Sequence, residues 1–505
     1  MRMEILQKTA KTTINKEKLY SLLTDAEAHQ KPITPILNKA LQLKGLTLQE
    51  TAELLAIQDE EAIKLLLETA GTVKREIYGR RIVLFAPLYI GNVCSNDCLY
   101  CAFRAPNTEL IRKRLTLQEI EAETRALLRE GHKRLLMLAG EEAESRVDAL
   151  IKAIETVYSI KEPAPVSGRP QSIRRINVEV APMSVEDFRK LKSAKIGTYA
   201  CFQETYDPEL YAVYHKSGPK ADYEWRLSVM DRAMEAGIED VGIGALFGLT
   251  DYRFEVLALL EHARHLEERF GCGCHTISIP RIEPALGAPA SEHVPKPVSD
   301  KDFKKLVAVL RLALPYTGII LSTRETEALR NELFNYGVSQ ISAGSRTNPG
   351  AYAQEEHEKK IIHNSKQNVD VPDQAQHNGQ QNNVVNHDQH SAEQFQLGDH
   401  RSLKEVVMAL AQQGYVPSFC TGCYRKGRVG SDFMDLAKPG LIQEFCEPNA
   451  FFTCSEYIED FLTGDERMEL ENRYNHLIAS YSGKINAIIE DGIRRIKAGE
   501  RDVYV

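Results

Sequence analysis

The chain has 505 residues, 43% of them hydrophobic and 27% charged, with a formal net charge of −8. That length exceeds one ordinary core, so two or three structural units, or one large barrel with appendages, are expected. A mildly acidic chain without a long Lys/Arg block argues against a nucleic-acid surface, and no apolar run is long enough to span a bilayer. The start, MRMEILQKTAKTTINKEKLY, has no apolar stretch of the secretory kind, so the expected compartment is a reducing cytoplasm. Clustered cysteines there read as metal ligands or catalysts rather than disulfides.

In chain order, residues 1–80 read as a helical cover. TLQETAELLAIQDEEAIKLLLETA spaces Leu54, Leu55, Ile63, Leu66 and Leu67 at roughly helical period, and Thr47 opens a capping-box pattern with Glu50. From Arg81 the text changes. The short apolar runs RIVLFAPLYI, RLLMLAGE, INVEVAP, TYACFQET, DVGIGALFG, HTISIPRI, GIILSTRE and SQISAGS alternate with polar helical stretches. Alternation of this kind implies a parallel sheet, and eight units imply a closed (βα)8 TIM-type barrel over 81–352. Chemistry on that α/β architecture sits where strands end, so the tail of each run holds the candidates.

Residues 353–400 break the pattern. HNSKQNVDVPDQAQHNGQQNNVVNHDQHSAEQ is rich in Gln, Asn and His and is expected to be a disordered linker. A shorter insert, EPAPVSGRPQS at 162–172, is expected as a surface loop. Residues 401–505 read as a compact cysteine module over 415–454 and a helical tail from about Ser455 to Lys497, with Ile485, Ile488, Ile489, Ile493 and Ile496 as its apolar positions.

Two cysteine constellations carry the chemistry. Cys94, Cys98 and Cys101 lie in VCSNDCLYCAF, directly after the first strand. Zinc usually closes a site with four protein ligands. Three thiolates around a four-iron–four-sulfur cluster leave one iron open, which is a catalytic feature rather than a scaffold; the alternative is three buried or spare thiols. Cys-x3-Cys-x2-Cys with Tyr100 before the third cysteine, following the first strand of an eight-strand barrel, resembles the radical S-adenosylmethionine enzymes. The resemblance implies that S-adenosylmethionine chelates the open iron and is cleaved to a 5′-deoxyadenosyl radical. In LAGE, the Gly140–Glu141 pair matches the element that holds the methionine ammonium. The stretch FQETYDPELYAVYHKSGPKADYEWRL resembles biotin-synthase-like members, which implies Glu204 on the ribose hydroxyls and Arg226 on the methionine carboxylate. An isolated Glu at a strand end is more often an ion-pair partner, and it is the order of these residues after the cysteine loop that favours the cosubstrate role.

The second constellation is Cys420, Cys423 and Cys446, spaced Cys-x2-Cys-x22-Cys. By itself it reads either as a structural zinc ribbon with Cys454 as fourth ligand, or as a second iron–sulfur cluster with an open corner. Together with CHTISIPRIEPALG, LSTRE, ISAGSR and SFCTGCYR, it resembles the radical S-adenosylmethionine tyrosine lyases of FeFe-hydrogenase maturation, over nearly the whole chain except the linker. That resemblance implies cleavage of L-tyrosine at Cα–Cβ to p-cresol, by way of a 4-oxidobenzyl radical, and dehydroglycine. Dehydroglycine would become carbon monoxide and cyanide on an auxiliary 4Fe-4S or five-iron cluster with a labile, dangling iron. The product would be an iron–carbonyl–cyanide unit carrying cysteine.

Implied partners are L-tyrosine, cysteine, iron, an electron donor such as ferredoxin or flavodoxin, and other hydrogenase maturation proteins, with no nucleic acid and no membrane. Geometry and resemblance together assign Arg324, after strand seven, and Ser342, ending strand eight, to the tyrosine carboxylate. An ion pair with Glu325 is the plainer reading of Arg324. His275, opening strand six, resembles the ligand of the dangling iron. The auxiliary cluster would then sit at the other end of the barrel, joined to the first by an internal tunnel. Cys272 and Cys274 read as small loop residues or competing thiols, and Cys201 as core. The rival readings are the tyrosine lyase of thiazole biosynthesis, which would lack the second triad, and a non-catalytic iron–sulfur carrier, which would not need Gly140, Glu141 and Arg226.

Overall fold

The computed structural model describes residues 13–142, 147–367 and 392–505. Eight parallel strands run in chain order: β1 (Arg81–Gly91), β2 (Arg134–Ala139), β3 (Arg175–Glu179), β4 (Tyr199–Ala200), β5 (Val241–Gly244), β6 (Thr276–Ser278), β7 (Gly318–Leu321) and β8 (Gln340–Ser342). Each pairs with the next, and β8 returns to β1 through Val83↔Gln340, Leu84↔Ile341 and Phe85↔Ser342, which closes the barrel. Helices cover the outer face; β1, β2, β5 and β7 are nearly all apolar, whereas β3 (RINVE), β6 (TIS) and β8 (QIS) alternate apolar and polar residues. All eight expected runs supply the strands.

A ninth parallel strand, β9 (Val416–Ser418), pairs with the first residues of β1, Arg81 to Val83. Its three residues include Pro417, which the sequence alternation gives no reason to place in a sheet. Its edge position makes the proline tolerable, and it ties the C-terminal module to the start of the barrel.

The N-terminal cover consists of the helices Lys16–Ala28, Thr34–Ala40, Leu48–Ala56 and Glu60–Tyr78. Thr47 and Glu50 form the expected capping box, with reciprocal bonds of 3.2 and 2.8 Å. The last of these helices is fastened to the barrel by the buried Lys74, whose ammonium donates to the Phe334 carbonyl at 2.8 Å and lies 4.1 Å from the centre of the Tyr415 ring. The insert at 162–172 is a small hairpin, Glu162–Pro163 with Pro170–Gln171, tied down by Gln171 donating to Asp460 at 2.7 Å. The C-terminal helices Gln443–Phe461, Gly464–Ile478 and Gly483–Lys497 absorb the expected tail, the first of them starting ahead of Cys446.

The linker reading of 353–400 needs correction at both ends; its middle, 368–391, lies outside the described residues. Ala351–Gln367 is a helix. The Glu123 carboxylate accepts the backbone N–H groups of Tyr352 and Ala353 at 3.4 and 2.7 Å, and Glu356 pairs with Arg129. At the other end, residues 392–400 enter the barrel mouth, where Phe395 is buried. The polar composition of the middle masked both: one buried aromatic at each end, Tyr352 and Phe395, is enough to seat a short segment that has a groove waiting for it.

Candidate active site and second cysteine centre

The loop after β1 carries Cys94, Cys98 and Cys101 and is held on two sides. Ser95 N–H donates to the Glu141 carbonyl at 2.7 Å, next to the end of β2. Asp97 and Leu99 N–H donate to Ser217 and Tyr214 carbonyls, both at 3.0 Å. Gly140 makes the first approach possible: a Cβ there would lie 2.2 Å from the Val93 carbonyl oxygen. The three cysteines share one cavity with Tyr100, Gly140, Glu141, Glu204 and Arg226, so the structure gathers this whole group at the C-terminal mouth of the barrel.

Within that cavity, Asn96 donates to Glu141 at 3.0 Å and to the Cys94 sulfur at 3.6 Å. Glu204 adopts a left-handed backbone, φ 69°, and accepts from Lys220 Nζ at 2.7 Å. Arg226 Nε donates to the Phe202 carbonyl at 2.7 Å, leaving its terminal nitrogens 3.9 Å from Glu141 and 4.0 Å from Glu204. The Tyr100 hydroxyl is engaged by His215 Nε2 at 2.7 Å, and His215 Nδ1 donates to the Tyr211 carbonyl at 2.8 Å. Tyr100 thus offers the cavity its ring rather than a free hydroxyl. Burial pushes the Cys98 thiol up to about 12 and raises that of Cys101, so these thiols stay protonated until a cationic centre displaces the proton. Cys201, expected as core, is buried one residue past β4 and also faces this cavity.

A second cavity continues into the lumen and shares the wall formed by Tyr89, Glu179, Phe202, Arg324, Gln394 and Phe395. Ser342 lines it and accepts from Thr323 N–H at 3.1 Å, which leaves its own O–H proton for another acceptor. Arg324 makes no ion pair among the described residues. Glu325 instead faces Arg281, at 3.0 and 3.1 Å from Nε. The Arg324 guanidinium carbon lies over the Phe395 ring, 3.3 Å from its centre, a cation–π contact within the cavity. Across the barrel, burial pushes the Glu179 carboxyl up to about 7. A recessed guanidinium and a recessed carboxyl on opposite walls suit a zwitterionic ligand.

The second triad lies at the opposite end. Cys420, Cys423 and Cys446 line a cavity with His275, Arg134, Arg175, Gln340 and Arg81, the last four being strand-opening residues. Cys420 follows β9, and Cys446 projects from the helix Gln443–Phe461. Its hydrogen bond with Cys423 holds the Cys446 thiol below the ordinary range, burial opposing and Arg81 assisting; the same bond raises Cys423. Burial lowers the His275 pKa, which favours the neutral imidazole, the form able to bind a metal. Its Nδ1 is buried without a hydrogen bond among the described residues, 3.6 Å from Asp240.

Among the described residues, no three His, Cys, Asp or Glu side chains converge as for a single ion. Thiolates around a polynuclear cluster stand further apart than ligands of a single ion, and each triad lines one shared cavity. Cys454 is not available as a fourth ligand: its sulfur lies 2.6 Å from the Tyr474 hydroxyl, away from the cavity. Cys272 and Cys274 are buried and do not line it either.

Sequence reasoning missed Asn96, Glu179, Lys220, Gln394 and Phe395. Glu179 had a signal, since it is the one carboxylate within the third run, and it ends β3. Phe395 was the one large aromatic near the end of the polar stretch. Lys220 had none.

The geometry can be set beside known proteins. Residues 88–263 match the Radical SAM superfamily, and residues 278–416 the Biotin and Thiamin Synthesis associated domain. The 2-iminoacetate synthase of Salmonella typhimurium is 30% identical over 317 residues, covering 62% of this chain and 80% of that protein. A crystal structure of HydG, described as a maturase of the FeFe-hydrogenase, is similar at 43% identity with a TM-score of 0.86, covering 97% of this chain and 99% of that one. The FeFe-hydrogenase maturase HydG from Carboxydothermus hydrogenoformans is similar at 37% identity and a TM-score of 0.73, covering 95% and 100%.

Proposed function

The chain belongs to the HydG family of radical S-adenosylmethionine enzymes, and from that premise we propose that it is a tyrosine lyase of FeFe-hydrogenase maturation. It would cleave L-tyrosine between Cα and Cβ to p-cresol and dehydroglycine, then convert dehydroglycine to carbon monoxide and cyanide, delivered on an iron that also carries cysteine. Cys94, Cys98 and Cys101 would hold the first 4Fe-4S cluster, and Cys420, Cys423 and Cys446 the auxiliary one, with His275 toward the labile iron. The bound groups supply a 5′-deoxyadenosyl radical at one end of the barrel and a loading place for the iron cargo at the other.

The remaining work falls to the chain. Glu141, Glu204 and Arg226 present two carboxylates and a guanidinium to the ammonium, ribose hydroxyls and carboxylate of S-adenosylmethionine. Arg324 and Ser342 fix the tyrosine carboxylate, the first as a bidentate fork, the second as an O–H donor. The apolar walls of the inner cavity exclude water from a reactive radical.

One observation carries the reading: the inner cavity is lined by Phe85 and Ser342, and the second cysteine cavity by Val83 and Gln340, the neighbouring positions of the same two strands. Two residues along a strand span about 7 Å, so a small product has a short way to travel. The test is anaerobic turnover of reconstituted protein with S-adenosylmethionine, tyrosine, a reductant, iron and cysteine. The expected products are p-cresol and the carbon monoxide adduct of added haemoglobin. Cresol without carbon monoxide would support the thiazole-type lyase, and neither product would support the carrier.

A further inference from the structure

The segment that ends the Gln/Asn/His-rich run is stitched into the barrel mouth by its backbone. Gln394 N–H donates to the Thr347 carbonyl at 3.1 Å, and the Gln394 carbonyl accepts from Ala102 N–H at 3.3 Å. Gln396 N–H reaches the Pro284 carbonyl at 2.9 Å, and Gly398 and Asp399 N–H reach that of Thr323 at 2.9 and 3.1 Å. Asp399, buried, pairs with Arg330 and Arg401. Loops following β1, β6, β7 and β8 therefore all grip these few residues.

That grip fixes the Gln394 side chain. Its Oε1 accepts the Tyr89 hydroxyl at 2.7 Å, and its Nε2 lies 3.6 Å from the Cys101 sulfur. The amide orientation follows from chemistry: a thiolate only accepts, so the NH2 end must face the sulfur, and the carbonyl end is left for a hydroxyl donor. Asn96 gives Cys94 a similar bond at 3.6 Å from inside the cysteine loop. The donor to Cys101 comes instead from 293 residues away.

We propose that Gln394 is a positioning residue for the first cysteine triad: its side-chain amide, oriented by Tyr89, donates to the Cys101 thiolate and so raises the reduction potential of the cluster held there. A hydrogen bond to a ligating sulfur withdraws anionic charge and favours the more negative, reduced state. Electron uptake at the first centre then depends on the seating of residues 392–399. The inference rests on the cluster-binding role of the first triad and not on the identity of the substrate.

The experiment is a redox titration of the full reconstituted chain, followed by electron paramagnetic resonance, with iron content measured on each sample. The first cluster is recognised as the signal that changes when S-adenosylmethionine is added. Gln394→Leu is expected to lower the reduced-to-oxidised ratio at fixed potential about tenfold, equivalent to ~59 mV for one electron. Gln394→Glu, which sets a carboxylate against the sulfur, is expected to lower it further. Tyr89→Phe frees the amide without removing it and is expected to give a smaller shift of the same sign. Should Gln394→Leu fail to hold its cluster, the other two variants decide. Unchanged potentials in loaded Gln394→Glu and Tyr89→Phe protein would overturn the proposal, whatever becomes of tyrosine turnover.

Discussion

The two cysteine triads occupy opposite ends of one barrel and are built by opposite strategies. The first comes from a single eight-residue span, Cys94 to Cys101, hung on the end of β1 and braced by local backbone bonds. The second joins two pieces of a separate module, Cys420–Cys423 and Cys446, and is clamped on the barrel by β9 and by Arg134 donating to the Cys420 carbonyl. Their surroundings differ as well. Around the first, carboxylates and cations alternate: Glu141, Glu204, Lys220, Arg226. Around the second, Arg81, Arg134, Arg175 and Arg428 face the single carboxylate Asp240. A mixed field suits a zwitterionic cosubstrate, and a cationic one suits a strongly anionic centre. On the proposed function the ends divide the work, one binding and cleaving small molecules, the other stabilising negative charge.

The largest effect should come from removing a ligand at the first end. Cys98→Ala is expected to abolish both cleavage of S-adenosylmethionine and formation of p-cresol, a loss of roughly 1,000-fold or more. Chromatography of 5′-deoxyadenosine and p-cresol from the same sample measures both. Retention of cresol would erase the division of labour. The counterpart is Cys446→Ser, which is expected to keep p-cresol within about threefold of the parent while losing the iron–carbonyl bands in the infrared. Loss of cresol from folded protein with an intact first cluster would mean that the ends are not separable.

Between the ends lies the inner cavity proposed for tyrosine, and changes there should be smaller. Arg324→Lys keeps the charge but not the fork, and is expected to lower kcat/KM for tyrosine about 10- to 100-fold, ~1.4–2.8 kcal/mol. Phe395→Leu removes the ring under the guanidinium and is expected to raise KM about three- to tenfold, ~0.6–1.4 kcal/mol. An effect of Phe395→Leu on the auxiliary centre instead of on tyrosine would place the cavity with the wrong end.

The same contrast explains what could be read in the sequence. The first triad and the strand-end group Gly140, Glu141, Glu204 were legible because a local motif followed by strand tails keeps its order in the chain. The ion pair of Arg324 with Glu325, the alternative reading of Arg324, does not form, because adjacent residues project to different sides: Arg324 turns into the lumen while Glu325 meets Arg281 across the loops. Three arginines of the second centre, Arg81, Arg134 and Arg175, open strands, where no rule of this architecture looks for chemistry. Gln394 and Phe395 were hidden in a window whose average is polar, although seating needs only a few apolar atoms and several backbone partners.

The smallest effect concerns the support behind Glu204. The buried Glu255 carboxylate accepts from Thr205 Oγ1 at 2.6 Å and Tyr206 N–H at 3.0 Å, which pins the left-handed turn. Burial nevertheless pushes its pKa from 4.5 up to about 8. The folded chain then holds this proton over a range where the unfolded chain has released it. Its contribution to stability is greatest below pH 4.5 and is lost as the pH rises to about 8. Glu255→Gln keeps an acceptor oxygen and removes the titration. The variant's unfolding midpoint should gain on the parent's as pH rises through that window, and S-adenosylmethionine affinity should lose its pH dependence there while the auxiliary centre stays unaffected. Parallel midpoints for the two proteins across the window would show that Glu255 is not the titrating support, and the turn at Glu204 would have to owe its rigidity to Lys220 alone.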